Sequence, residues 1–74
     1  MKISHSKAFV KNFGINLRKI RIQKKLSQAD LAFSYNFEIS QISRIERGII
    51  NTSIVNIYII SLALKVYPKE LLDF

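Results

Sequence analysis

The absence of cysteine constrains this chain most. A sequence of 74 residues with no thiol and a single histidine, His5, has neither a disulfide framework nor a thiolate metal site to hold a small fold together. Below roughly 70–80 residues an apolar core alone is marginal, so stability has to come from dense packing or from a partner. Hydrophobic residues supply 49% of the sequence, more than a disordered chain carries and generous for so small an interior. Part of that surface is therefore expected to meet a second copy. The length suits one domain, residues 1–74, and two Gly and one Pro leave no linker that would divide it.

Phe9, Phe13, Leu17 and Ile20 recur at four, four and three residues, the spacing of one helical face, with Lys11, Arg18, Lys19 and Lys25 off it. This predicts a first helix over about 7–24. Gly14 costs such a helix up to about 1 kcal/mol relative to Ala, which leaves a start near Phe13 open. Ser27 followed by Asp30 is a helix-start signal, in which a hydroxyl caps free N–H groups and an acid sits in the first turn; the second helix is expected over 27–34. Tyr35-Asn36-Phe37 reads as a tight turn, since Asn tolerates positive φ. Ile42 and Ile45 mark the inner face of a third helix, about 38–47, ending at Gly48. Asn51, Thr52 and Ser53 offer caps for a fourth helix over about 54–65, and Pro68 suits the first turn of a fifth reaching Leu72. Five helices and no strand predict an all-α domain.

The second and third helices with their short turn form a helix-turn-helix over 27–47, whose second helix can enter a DNA major groove if its outward face is polar. On a helical wheel Ser40, Ser43, Arg44 and Arg47 cluster opposite Ile42 and Ile45, with Ile39 and Gln41 flanking. Small hydroxyls and guanidinium groups suit close approach to bases and phosphates; an ordinary solvated face is the other reading. Charge points the same way: 12 Lys plus Arg against 5 Asp plus Glu give +7, a balance that implies nucleic acid or an anionic membrane as partner. Residues 1–25 hold six Lys, two Arg and no acid. Together Lys2, Lys7, Lys11, Lys24 and Lys25 would attract a duplex. Basic and apolar segments fall in different helices and no stretch is long enough to span a bilayer, so no membrane partner is expected and the protein reads as soluble and cytoplasmic. The sequence shows no paired carboxylates, nucleophile with base, phosphate loop or metal cluster, so no enzyme, cofactor, metal or small-molecule ligand is expected.

LSQADLA at 26–32, the turn YNFE, and ISQISRIERG at 39–48 resemble the lambda-repressor-like helix-turn-helix family of the XRE type. The resemblance runs from about Phe13 to Leu72, with RIQKKLSQ upstream and Asn51-x-Ser53 downstream. It implies a compact five-helix DNA-binding domain, in which Gln28 holds a phosphate and braces the third helix. It also implies base contacts from Glu38, Ile39, Ser40, Gln41 and Arg44. Arg44 could pair with guanine O6 and N7, worth about 1–3 kcal/mol of discrimination, or act as a phosphate clamp. Ser40 and Gln41 read bases less uniquely. Ile39 could only touch a thymine methyl, where many family members carry a polar residue. Ser43, Arg47 and Asn51 join Gln28 as phosphate candidates. By the same resemblance Arg21 pairs with Glu46, which would fix the angle at which the third helix is presented.

The resemblance further implies that Ile54, Ile57, Ser61 and Leu64 of the fourth helix face the core. Val55, Ile59, Leu62 and Val66 then form a second stripe where the family is usually polar, with Tyr58, Tyr67, Leu72 and Phe74 nearby. This predicts a homodimer through residues 54–74; a tail curled over its own domain is the alternative. Lys65 replaces the Gly common at the end of this helix, so the next turn is expected to differ. The function expected is a sequence-specific transcriptional regulator acting as a homodimer on a pseudo-palindromic operator. Its compact form is similar to restriction-modification controller proteins and Cro-like repressors, and an antitoxin that masks a toxin is the alternative.

Overall fold

The computed structural model describes residues 3–74, so Lys2 lies outside the described residues. Among these, five helices and no strand are present: α1 (Ile3–Gln23), α2 (Gln28–Ser34), α3 (Ile39–Glu46), α4 (Ile54–Leu64) and α5 (Pro68–Leu71). The first helix begins earlier than its apolar spacing predicts and runs through Gly14 without a break. Gly14 is needed there for contact: a Cβ would clash with the Ile45 carbonyl oxygen and lie 2.5 Å from that of Glu46. The helix propensity lost at this position is the cost of that close approach.

Four helix ends close in one way. The second residue past α1, α2 and α3 and the first past α4 are left-handed, at Lys25 (φ 60), Asn36 (φ 62), Gly48 (φ 71) and Lys65 (φ 58). In each, the next N–H reaches back into the last turn: Leu26 to Arg21, Phe37 to Ala32, Ile49 to Arg44 and Val66 to Ser61, at 3.2, 2.8, 3.0 and 3.0 Å. This motif satisfies carbonyls that would otherwise lack partners. Lys65 thus takes up the conformation that a glycine adopts most readily, against a steric cost of about 1–2 kcal/mol for an L side chain.

Every helix feeds one core: Phe13 and Leu17 of α1, Leu31 and Ala32 of α2, Ile42 and Ile45 of α3, Ile60 and Leu64 of α4, and Leu71 of α5, with Phe37 from the turn. The face assigned to the fourth helix needs correction. Ile54, expected inside, is 82% exposed, whereas Ile60 is fully buried beside Ser61 and Leu64. Ile54 is the first residue after the Ser53 cap, whereas the buried residues of α4, which packs on α2 and α5, all lie in its second half. Phe9, also expected on an inward face, is half exposed and rests instead on the Phe74 ring, centroids 5.2 Å apart. Buried Asn16 secures the C-terminal turn, its Nδ2 donating to the Glu70 and Leu71 carbonyls at 3.0 and 2.9 Å. No described helix is long and apolar enough to cross a membrane.

Candidate nucleic-acid interface

The start of α2 is fixed locally. The Ser27 hydroxyl accepts from the Asp30 N–H and the Asp30 carboxylate accepts from the Ser27 N–H, both at 2.9 Å, a reciprocal cap that satisfies two of the helix's orphan donors. Hydrogen bonding from the Ser27 backbone, and then from its side chain, holds the Asp30 carboxyl below the usual carboxylate range. Gln28, the first residue of α2, lies directly over the end of α3.

There Glu46 is the hub of a buried network. Arg21 donates through Nε to Glu46 Oε2 at 2.6 Å and through Nη2 to Oε1 at 3.0 Å, and its Nη1 donates to the Leu26 carbonyl at 2.8 Å. Gln28 Nε2 adds a bond to Glu46 Oε1 at 3.1 Å. Arg21 is 8% exposed and Glu46 6%, so neither charge could stand without the other. The hydrogen bond to Glu46 raises the Arg21 pKa above its ordinary value; burial opposes this and the Glu46 charge reinforces it. Helices α1, α2 and α3 are thereby tied at one point. The bidentate pair sets the angle of α3 and the Gln28 amide braces it, leaving its second N–H for another acceptor.

With Ile42 and Ile45 sealed inside, α3 turns its opposite side to solvent. Glu38, Ile39, Ser40, Arg44 and Arg47 are exposed, while Gln41 and Ser43 are half-buried. Ile39 keeps 42% of its surface open, which suits an apolar contact. Glu38 is the N-cap of α3 and makes no side-chain cap bond. Arg47 folds back along the helix, its Nε 3.4 Å from the Ser43 carbonyl oxygen, and Asn51 lies exposed in the loop beyond. The residues named from the sequence for DNA contact therefore fall on α3 and its two caps, the start of α2 and the loop after α3. Sequence reasoning placed Arg21 of α1 against Glu46 but missed the approach at Lys11: a Cβ on Gly48 would sit 2.7 Å from the Lys11 Cα, and only the presence of glycine there hinted at it.

The residues named for self-association divide. Val55, Tyr58, Leu62 and Leu72 are 61%, 55%, 42% and 45% exposed. Ile59 and Val66 instead pack partly against the core, so the stripe expected on α4 is narrower than its spacing suggests.

The profile of the helix-turn-helix family matches residues 17–71. The control protein C.BamHI of Bacillus amyloliquefaciens is 51% identical over 63 residues, 84% of this chain and 78% of that protein. The crystal structure of the restriction-modification controller protein C.AhdI from Aeromonas hydrophila superposes with a TM-score of 0.85 at 42% identity, covering 88% of this chain and 94% of that one. With the profile spanning most of its length, sequence shared with both control proteins and fold shared with the second, this chain belongs to the helix-turn-helix family of the XRE type, a family of DNA-binding transcription regulators.

Proposed function

We propose that the chain acts as a homodimer on a pseudo-palindromic DNA operator, regulating transcription as a restriction-modification controller in the cytoplasm. The observation that carries this reading is α3 itself. Its outward side presents Ser40, Arg44 and Arg47 to solvent while its far end is held by the Arg21–Glu46–Gln28 network. A helix so anchored keeps its groove-facing side chains at a set angle, and directed hydrogen bonding to base edges requires that. The exposed Val55, Tyr58 and Leu62 supply an apolar strip that a second copy would cover. The likeness to two control proteins points to restriction-modification genes as the regulated ones. In this reading Arg44, Ser40, Gln41, Ile39 and Glu38 face the bases, and Gln28, Ser43, Arg47 and Asn51 face phosphates.

Selection of bound sites from a random duplex library tests it. The sites recovered should contain inverted half-sites about one helical turn, roughly 34 Å, apart. On such a site Arg44→Ala should lose about 1–3 kcal/mol per half-site and relax preference at one symmetric position. If Arg44→Ala lowers affinity evenly across all single-base variants, Arg44 is a phosphate clamp and readout rests on Ser40, Gln41 or DNA shape. Failure to enrich any inverted repeat would sink the operator reading.

A further inference from the structure

We propose that the first turns of α1 carry an additional phosphate-holding surface, in which Lys7 and Lys11 clasp the DNA backbone beside the end of α3. The inference rests on the DNA-binding reading above and deepens it, naming residues that precede the 17–71 span matched by the family profile.

Its starting point is Gly48. This residue is left-handed, and a Cβ on it would lie 2.7 Å from the Lys11 Cα and 3.1 Å from its Cβ. The turn that leaves α3 therefore lies flat on the backbone of α1, which sets Lys11 next to the segment that follows Arg47. One helical turn earlier Lys7, with Ser6 and Val10, borders an open depression of about 180 Å³ whose other wall is Gly48, Ile49 and Asn51. Asn51 is already a phosphate candidate, so the depression continues the surface on which α3 ends.

The chemistry of its rim selects an anion. Residues 1–25 contain no acid, and Glu46, the acid nearest in sequence to Gly48, is committed to Arg21 and Gln28. Lys7 and Lys11 are exposed, and neither has an ion-pair partner among the described residues. At roughly 100° per residue they fall within about 40° of each other on the helix, on the flank that also carries Gly14 and Arg21, both of which meet the end of α3. Ammonium groups on long flexible stems suit phosphates as point charges. The segment is also pinned on another side, because Phe9 packs against Phe74. The lysines are thus presented by a supported helix.

Binding of the full-length protein to a random-sequence duplex of roughly 30 base pairs, between about 50 and 200 mM salt, tests the proposal. Wild type is compared with Lys7→Gln, Lys11→Gln and, as an equal loss of charge on another side of the same helix, Lys19→Gln. Each of the first two should flatten the dependence of log K on log salt by about 0.9 per protomer and weaken binding about five- to tenfold near 0.1 M salt. Lys19→Gln should change neither. If wild type binds with a steep salt dependence and the Lys7 and Lys11 variants keep that slope, the clasp is overturned and the DNA-binding reading stands. Equal flattening in Lys19→Gln assigns the effect to net charge and also overturns it. If wild type shows no salt-dependent binding, the DNA-binding reading fails and the clasp fails with it.

Discussion

Glu46 shows how one residue can organise a protein. Its two oxygens receive hydrogen bonds from Arg21 and Gln28, so helices that are distant in sequence converge on a single carboxylate. Arg21→Ala leaves that carboxylate buried without its counter-charge and should cost about 3–5 kcal/mol, read from denaturant unfolding. Arg21→Met combined with Glu46→Leu should regain most of the loss, since an apolar pair of similar volume has no charge to desolvate. An Arg21→Ala variant as stable as wild type would show that the pair is dispensable. Asp30 works at the surface and in a different pH range. Its folded-state pKa lies below the ordinary value, so its contribution is present above the unfolded pKa of about 4 and fades as pH falls through the folded one. Asp30→Asn should therefore melt lower than wild type at neutral pH, and the two curves should converge in acid. A gap that persists unchanged to the lowest pH would show that the carboxylate charge is not what stabilises the cap.

Between elements the decisive feature is how closely α1 approaches α3. In an isolated helix Gly14→Ala would be favourable by about 0.5–1 kcal/mol. In the folded protein the added methyl meets the backbone oxygens of Ile45 and Glu46, which no rotamer change can move. The helices must separate, and the net effect should be a destabilisation of about 1–3 kcal/mol in a thermal or denaturant melt, the range typical of overpacking. A more stable variant would mean that α3 can shift freely, in conflict with its anchoring by Arg21 and Gln28. The helix ends carry a related lesson. Asn36 and Gly48 announce left-handed closures by their chemistry, whereas Lys25 and Lys65 adopt the same conformation with no such signal.

At the scale of the whole molecule, apolar surface left over after folding points to association. For the proposed homodimer, Leu62→Lys, at a position 42% exposed on α4, should leave the monomer folded and shift sedimentation from dimer to monomer. Ile59 is the poorer test, because it packs partly on the core and a lysine there would disturb folding as well. A folded Leu62→Lys dimer indistinguishable from wild type would move the interface elsewhere. Weaker operator binding by the monomeric variant, with α3 untouched, would tie association to recognition.

The sequence by itself determined what is periodic or local: the order of five helices, the inward Ile42 and Ile45, the Ser27–Asp30 start of α2 and the polar outer side of α3. Each depends on residues within a turn or two of one another, where spacing and cap chemistry act directly. Resemblance added Arg21, Glu46 and Gln28, which no periodicity would have joined. Tertiary structure alone decided the rest. IVNIYIISLAL is apolar nearly all the way round, so its spacing could not choose a buried side; packing on α2 and α5 chose Ile60 over Ile54. Likewise Gly14 read only as a weak point in a helix, and Lys11 as one more solvated charge, until the end of α3 and the turn after it were placed against them. Close approach between segments far apart in the chain is a property of the packed whole, and a glycine or a lysine carries no local mark of the neighbour it will meet.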